Sequence, residues 1–146
     1  MKEITDSRKL LGAGPGLTLK ELSGLYKGLM KQHHPDRFQV DSEREEAEAT
    51  SKRIISAYKL LEGIHPETNE SKAEEFEQTL SSGVTNWQYK NLVLRVNFGD
   101  GSEYAFYGVQ PNTYKKFVNT DGTARFVRRH LVGACPQRKL TSAVAA

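Results

Sequence analysis

Cysteine is almost absent from this chain, and so are long apolar runs. Cys135 is the single cysteine among 146 residues, so no internal disulfide can form and the composition suits a reducing compartment. No stretch approaches the roughly 20 apolar residues needed to span a bilayer. The opening Met1-Lys2-Glu3-Ile4-Thr5-Asp6 has no apolar signal core, and the expectation is a cytoplasmic chain with no membrane partner. Histidine is also scarce. A hydrolytic zinc centre normally draws on three protein ligands at recognisable spacing, and His33, His34, His65 and His130 offer none. A glycine-rich phosphate loop of the Walker type is missing, and no base is identifiable for Cys135. These gaps argue for a chain with no metal, no cofactor and no enzymatic activity of its own.

What is present describes a soluble globular protein, with 37% apolar and 27% charged residues. The charge is unevenly placed. Residues 1–40 carry seven Lys/Arg against four Asp/Glu, residues 41–80 five against eleven, and residues 81–146 nine against three. An acidic middle between two basic ends points to separate modules with different partners.

Leu19, Leu22, Leu25, Tyr26, Leu29, Met30 and His33 recur at helical spacing. Lys20, Lys27 and Lys31 form a stripe on the opposite side. Thr18 with Glu21 makes a capping box at the start. A second helix is expected after Ser42 and Glu45, which repeat that arrangement, with glutamates crowding its first turns where the helix dipole favours anions. Ala47, Ser51, Ile54, Tyr58 and Leu61 give it one face, and Gly63 is its expected stop. Between the two helices stands His34-Pro35-Asp36. A proline there forbids continuation of the first helix, so an imidazole and a carboxylate are presented at the tip of an antiparallel helical hairpin.

Leu10-Leu11-Gly12, Leu19 to Tyr26, His34-Pro35-Asp36-Arg37 and Ile55-Ser56-Ala57-Tyr58-Lys59-Leu60-Leu61 together resemble a J-domain, over about residues 2–63. The resemblance implies a DnaJ-type co-chaperone that binds a DnaK-type partner and stimulates its ATP hydrolysis. Position by position it implies that His34, Pro35, Asp36 and Tyr26, with the basic face of Lys20, Lys27 and Lys31, form the chaperone-binding site. This chain departs from the usual pattern in a polar first helix and in Ser23, Gly24 and Gly28 within the second.

After residue 84 the period becomes strand-like. Leu92, Leu94, Val96 and Phe98 alternate with Val93, Arg95 and Asn97, Gly99-Asp100-Gly101 makes a turn, and Glu103 to Val109 reads as the partner strand. Trp87 and Tyr89 fit an earlier, shorter strand. A helix over Thr113 to Asn119 would turn Tyr114, Phe117 and Val118 inward, and Phe126, Val127 and Leu131 mark a last helical turn. The strand–turn–strand Leu92 to Val109, with Tyr114 and Phe117, resembles the KTSC domain, a small module found alone in bacteria and at the C-terminus of some lysyl-tRNA synthetases. No catalytic residue carries over from it.

The fold class read from these patterns is α+β: a helical hairpin with short flanking helices, then a small antiparallel sheet with one or two helices. The divisions are 1–63 for the J-domain, 64–83 for a linker or connecting helix, 84–131 for the KTSC-like domain, and 132–146 for a disordered tail. The C-terminal module is expected to supply client or complex specificity. The alternative function is RNA binding by its basic surface, through Lys115, Lys116, Arg125, Arg128, Arg129, Arg138 and Lys139. Tyr104, Phe106 or Trp87 would then serve for stacking, with the hairpin inactive toward chaperones.

Overall fold

A computed structural model describes residues 2–141, an α+β chain that divides into two compact units, Lys2–Glu67 and the chain from Thr68 onward.

In the first unit, α1 (Lys2–Leu11), α2 (Leu19–His33) and α3 (Asp41–Ile64) pack around Ile4, Leu11, Leu22, Ile54, Ala57, Leu60, Leu61 and Ile64, all buried. Both α1 and α2 lie against α3. Helix α2 begins where its capping box predicts: the Thr18 hydroxyl accepts from the Glu21 N–H at 3.1 Å, and the Glu21 carboxylate reaches back to the Thr18 N–H. It ends at His34, whose backbone is extended (φ −64°, ψ 133°) ahead of Pro35. Two expectations for α3 need correction. The Ser42 cap is not used; the N-cap is Val40, two residues earlier and with no side-chain cap, so the helix starts at Asp41. The stop is not Gly63, which stays helical. His65 ends the helix because Pro66 follows it, and proline pushes its predecessor into extended backbone. There the His65 ring bridges the Leu17 carbonyl oxygen at 2.7 Å and the Glu67 N–H at 3.0 Å, while the Glu67 carboxylate accepts from the Leu19 N–H at 2.8 Å. These bonds fasten the entry of α2 to the end of α3.

A short helix, α4 (Pro66–Ser71), follows. The stretch expected as linker or connecting helix then gives α5 (Ala73–Ser81), which belongs to the second unit, because Phe76, Thr79 and Leu80 are buried in its core. The sheet is a four-stranded antiparallel meander in the order β1 (Val84–Lys90), β2 (Val93–Phe98), β3 (Glu103–Tyr107), β4 (Gln137–Thr141). Strand β2 alternates as the sequence predicts, burying Leu94, Val96 and Phe98. Leu92, expected to be its first residue, instead sits at φ 64° beside Asn91 at φ 52°, the two positive-φ positions of a type I′ hairpin turn.

Helix α6 (Pro111–Asn119) lays Phe117 against the sheet, with Trp87 edge-on to it at 5.1 Å. Val118, expected inward, is 37% exposed, since one residue on a helix turns by about 100° and carries it past the face of Phe117. A four-residue helix, α7 (Thr123–Phe126), runs into a π-helical turn, Val127–Leu131, and burial of Phe126, Val127 and Leu131 closes the core. The tail expected over 132–146 is corrected in part: Gln137–Thr141 pairs with β3, and the Asn69 side chain donates to the Gln137 carbonyl oxygen at 3.1 Å. Residues 142–146 lie outside the described residues.

Candidate functional site

The turn after α2 is organised by its own histidine. Pro35 opens a single 3-10 turn, Pro35–Arg37, where its missing N–H costs nothing. The His34 Nδ1 accepts the Asp36 N–H at 3.2 Å, which is the cap a turn of this kind needs. Backbone bonds from Arg37 to the His34 carbonyl and from Phe38 to the Pro35 carbonyl, both 3.1 Å, complete the turn. The Arg37 guanidinium returns to the Lys31 carbonyl oxygen at 2.9 Å and ties the turn to the end of α2. From the other side the Ser51 hydroxyl on α3 donates to the His33 carbonyl at 2.8 Å. The turn is therefore held from both neighbouring helices, with the His34 and Arg37 side chains bonded to backbone groups.

The Asp36 carboxylate is 92% exposed and stands 3.6 Å from the His34 Nδ1. Nothing in the packing uses it. Beside it opens a surface groove of about 670 Å³ lined by Tyr26, Lys27, Met30, Lys31, His34, Asp36 and Arg37. The structure thus brings together five of the seven residues singled out at this end of the sequence. Lys20 lies exposed in the first turn of α2, away from the groove, and Pro35 shapes the turn without lining it. Met30 and Arg37 are additions. Met30 falls one turn beyond Tyr26 on the same helix, and Arg37 is brought in by its bond to Lys31. Tyr26 is positioned by Tyr58 of α3, ring centroids 4.2 Å apart. Burial, then a hydrogen bond to Glu62, raises the Tyr58 hydroxyl above its ordinary value of 10.0. The groove has an apolar floor of Tyr26 and Met30 under a rim of three cations and one carboxylate, a surface suited to a partner with acidic groups around an apolar contact.

Two of the basic residues of the second unit are paired with glutamates. The Arg128 guanidinium meets the Glu77 carboxylate at 2.5 Å, and Lys139 forms an ion pair with Glu75. Lys115 and Lys116 are exposed on α6, while Arg125 and Arg129 line a smaller cavity with Thr120, Asp121, Gly122, Phe126 and His130. The expected stacking platform is corrected: Tyr104 and Phe106 are 2% and 0% exposed, consumed by the core. Trp87 is half-buried against Phe117, and Tyr89 stacks on Tyr114 at 4.2 Å while donating to the Val109 carbonyl oxygen. In so small a sheet the large rings are the core.

Residues 80–134 match the KTSC domain. The matched stretch begins at the end of α5 and stops before β4, so the KTSC segment includes Lys115, Lys116, Arg125, Arg128 and Arg129 but neither Arg138 nor Lys139. It does not extend to the helical unit. No curated protein and no solved structure matches the chain. Within the KTSC segment the Gly99-Asp100-Gly101 turn is closed by the Asp100 carboxylate, which accepts from the Ser102 N–H and the Thr79 hydroxyl, each at 2.8 Å. Gly99 is required there, since a Cβ would stand 2.4 Å from the Ser82 carbonyl oxygen. Cys135 is partly buried, and burial pushes its thiol above the ordinary value. Among the described residues no helix is long and apolar enough to cross a membrane, and no three His, Cys, Asp or Glu side chains gather as a metal-ligand set.

Proposed function

We propose that the helical unit is a J-domain and that the protein acts as a DnaJ-type co-chaperone, binding a DnaK-type ATP-driven chaperone and stimulating its ATP hydrolysis. The observation that carries this reading is the His34–Asp36 turn. Histidine supplies the cap, backbone bonds fix the loop, and the carboxylate stands in water beside Lys27, Lys31 and Arg37 with no structural task. A charge presented that way is available to a partner. In this reading the chain performs no chemistry, ATP is the partner's ligand, and the effect arises from tighter binding to the hydrolysis-competent state. A tenfold preference for that state corresponds to about 1.4 kcal/mol. The KTSC segment then supplies client or complex specificity. RNA binding has less support, because two of its seven cations are paired with glutamates and its main stacking rings lie in the core.

The test is single-turnover ATP hydrolysis by a bacterial DnaK-type chaperone with the intact protein and with His34→Gln. Stimulation by the intact protein that is lost in the variant is expected. A folded intact protein that fails to stimulate, in an assay where an established J-protein succeeds, overturns the reading.

A further inference from the structure

The second cavity, in the KTSC segment, separates the arginines into two kinds. Arg128 points to Glu77 and is neutralised. Arg125 and Arg129, on either side of it in sequence, line a cavity of about 230 Å³ together with His130 and the loop Thr120-Asp121-Gly122. Among the described residues no acidic side chain lies within ion-pair distance of Arg125 or Arg129, and Asp121 is the single carboxylate in the lining. Arg125 and Arg129 are four residues apart, a spacing that puts two side chains on one face as α7 runs into the π-helical turn. Val132 donates its N–H to the Val127 carbonyl oxygen at 3.0 Å, an i→i+5 closure that places more than 3.6 residues in the turn. Residues four apart then fall nearly in line. Phe126 and His130 show it directly, their rings 4.6 Å apart, and Arg125 and Arg129 are the adjacent pair in the same register. π-Turns of this kind often occur at functional sites.

Two permanently charged groups held on one stripe repel each other, and the one carboxylate beside them, Asp121, forms no ion pair with either. The cavity is far larger than the roughly 30 Å³ that one water takes up in the liquid. Planar guanidiniums present paired N–H donors that match the oxygens of a phosphate. Phe126, 8% exposed, lines the same cavity. We propose that Arg125, Arg129 and His130 form a binding site for a phosphate group, carried either by inorganic phosphate or by a small phosphomonoester. This site is independent of the chaperone-binding turn, and its test does not depend on that activity.

The experiment is a titration of the full chain with inorganic phosphate, followed by backbone amide shifts, with chloride exchanged to hold ionic strength constant. Saturable shifts confined to residues 120–131 are expected. Arg125→Gln and Arg129→Gln should each weaken binding about tenfold, whereas Arg128→Gln, already engaged with Glu77, should change it less than about twofold. All three residues are exposed, and an unchanged amide spectrum elsewhere establishes that each variant folds. A parallel titration with glycerol phosphate identifies the source: tighter binding than inorganic phosphate assigns the group to a phosphomonoester, and equal binding to the free ion. Shifts that rise linearly and spread over Lys115, Lys116 and Arg128 overturn the proposal, as does equal weakening by all three arginine variants. A short RNA that binds more tightly than either phosphate and depends on Lys115 as strongly as on Arg125 also overturns it in favour of a diffuse polyanion surface.

Discussion

Asp36 and Asp100 both sit in tight turns, flanked in one case by proline and in the other by glycines, yet the two carboxylates have opposite fates. Asp100 accepts hydrogen bonds from Ser102 and Thr79 and locks the β2–β3 turn onto α5. Asp36 is 92% exposed and its turn is capped by a histidine instead. A turn that needs an aspartate uses it as Asp100 is used, because Asx side chains readily satisfy the N–H two residues on. At 34–36 that task, the N–H two residues on, has been handed to His34. The carboxylate of Asp36 is therefore surplus to folding, and surplus charge at a fixed position is what recognition requires.

The largest expected effect separates the two by activity. Asp36→Asn keeps the shape of the turn and removes only the charge, so stimulation of the DnaK-type ATPase should fall at least about tenfold while stability changes by less than about 0.5 kcal/mol. Asp100→Ala should do the reverse, leaving stimulation intact and lowering stability by about 2 kcal/mol, the range for hydrogen bonds to a charged acceptor. Chemical denaturation of both proteins beside the ATPase assay checks the crossed result. A stability loss at Asp36 equal to that at Asp100 would erase the distinction.

Acid sharpens the second half of that comparison. Burial acts upward on the Asp100 carboxyl, but hydrogen bonds from Ser102 and Thr79, with Lys139 nearby, outweigh it and hold the group below its ordinary value of 3.8. A lowered folded value means stability that is present above about pH 4 and lost as pH falls through the folded value. The stability gap between the parent and Asp100→Ala should accordingly narrow below pH 4.

How far these roles could be read from sequence depends on how local their causes are. The Thr18–Glu21 box, the break at Pro35 and the alternation of Leu94, Val96 and Phe98 all depend on neighbours within a few residues, and all three form as read. Strand β4 escaped because Gln137-Arg138-Lys139-Leu140-Thr141 has no apolar alternation; its strand character comes from pairing with β3, more than thirty residues earlier. The pairing of two cations of the basic C-terminal part was hidden for the same reason. The acids that neutralise Arg128 and Lys139, Glu77 and Glu75, lie 51 and 64 positions away. Local chemistry identified the His34 turn, but only the fold could distinguish Arg125 and Arg129 from Arg128.

Tyr104 extends the comparison to alkaline pH at a smaller scale. Burial, then the charges of Glu75 and Asp100, push its hydroxyl up to about 12 from 10.0. The folded protein keeps this proton when the unfolded chain has lost it, so its contribution is complete below pH 10 and declines as pH rises toward 12. Tyr104→Phe should lose about 1 kcal/mol less stability than the parent between pH 9 and pH 11. Equal alkaline loss in the two proteins would mean that the phenol is not the group responsible.

The smallest effects test whether the exposed face of α2 is shaped for contact. Gly24 and Gly28 share the stripe of Lys20, Lys27 and Lys31, and a Cβ added at either meets nothing within 4 Å. Their helical cost has no offset in packing within the unit, so Gly24→Ala and Gly28→Ala should each stabilise the protein by about 1 kcal/mol in thermal or denaturant unfolding. Two bare positions on a lysine-bearing face also let another backbone approach the helix closely. Gly28 lies between Lys27 and Lys31, whose side chains line the groove, whereas Gly24 is one turn farther from it. Gly28→Ala should then reduce ATPase stimulation about twofold despite its greater stability, with Gly24→Ala unchanged. If both variants are more stable and fully active, the glycines have no part in recognition, and the contact is carried by the lysines, Arg37 and the Asp36 carboxylate alone.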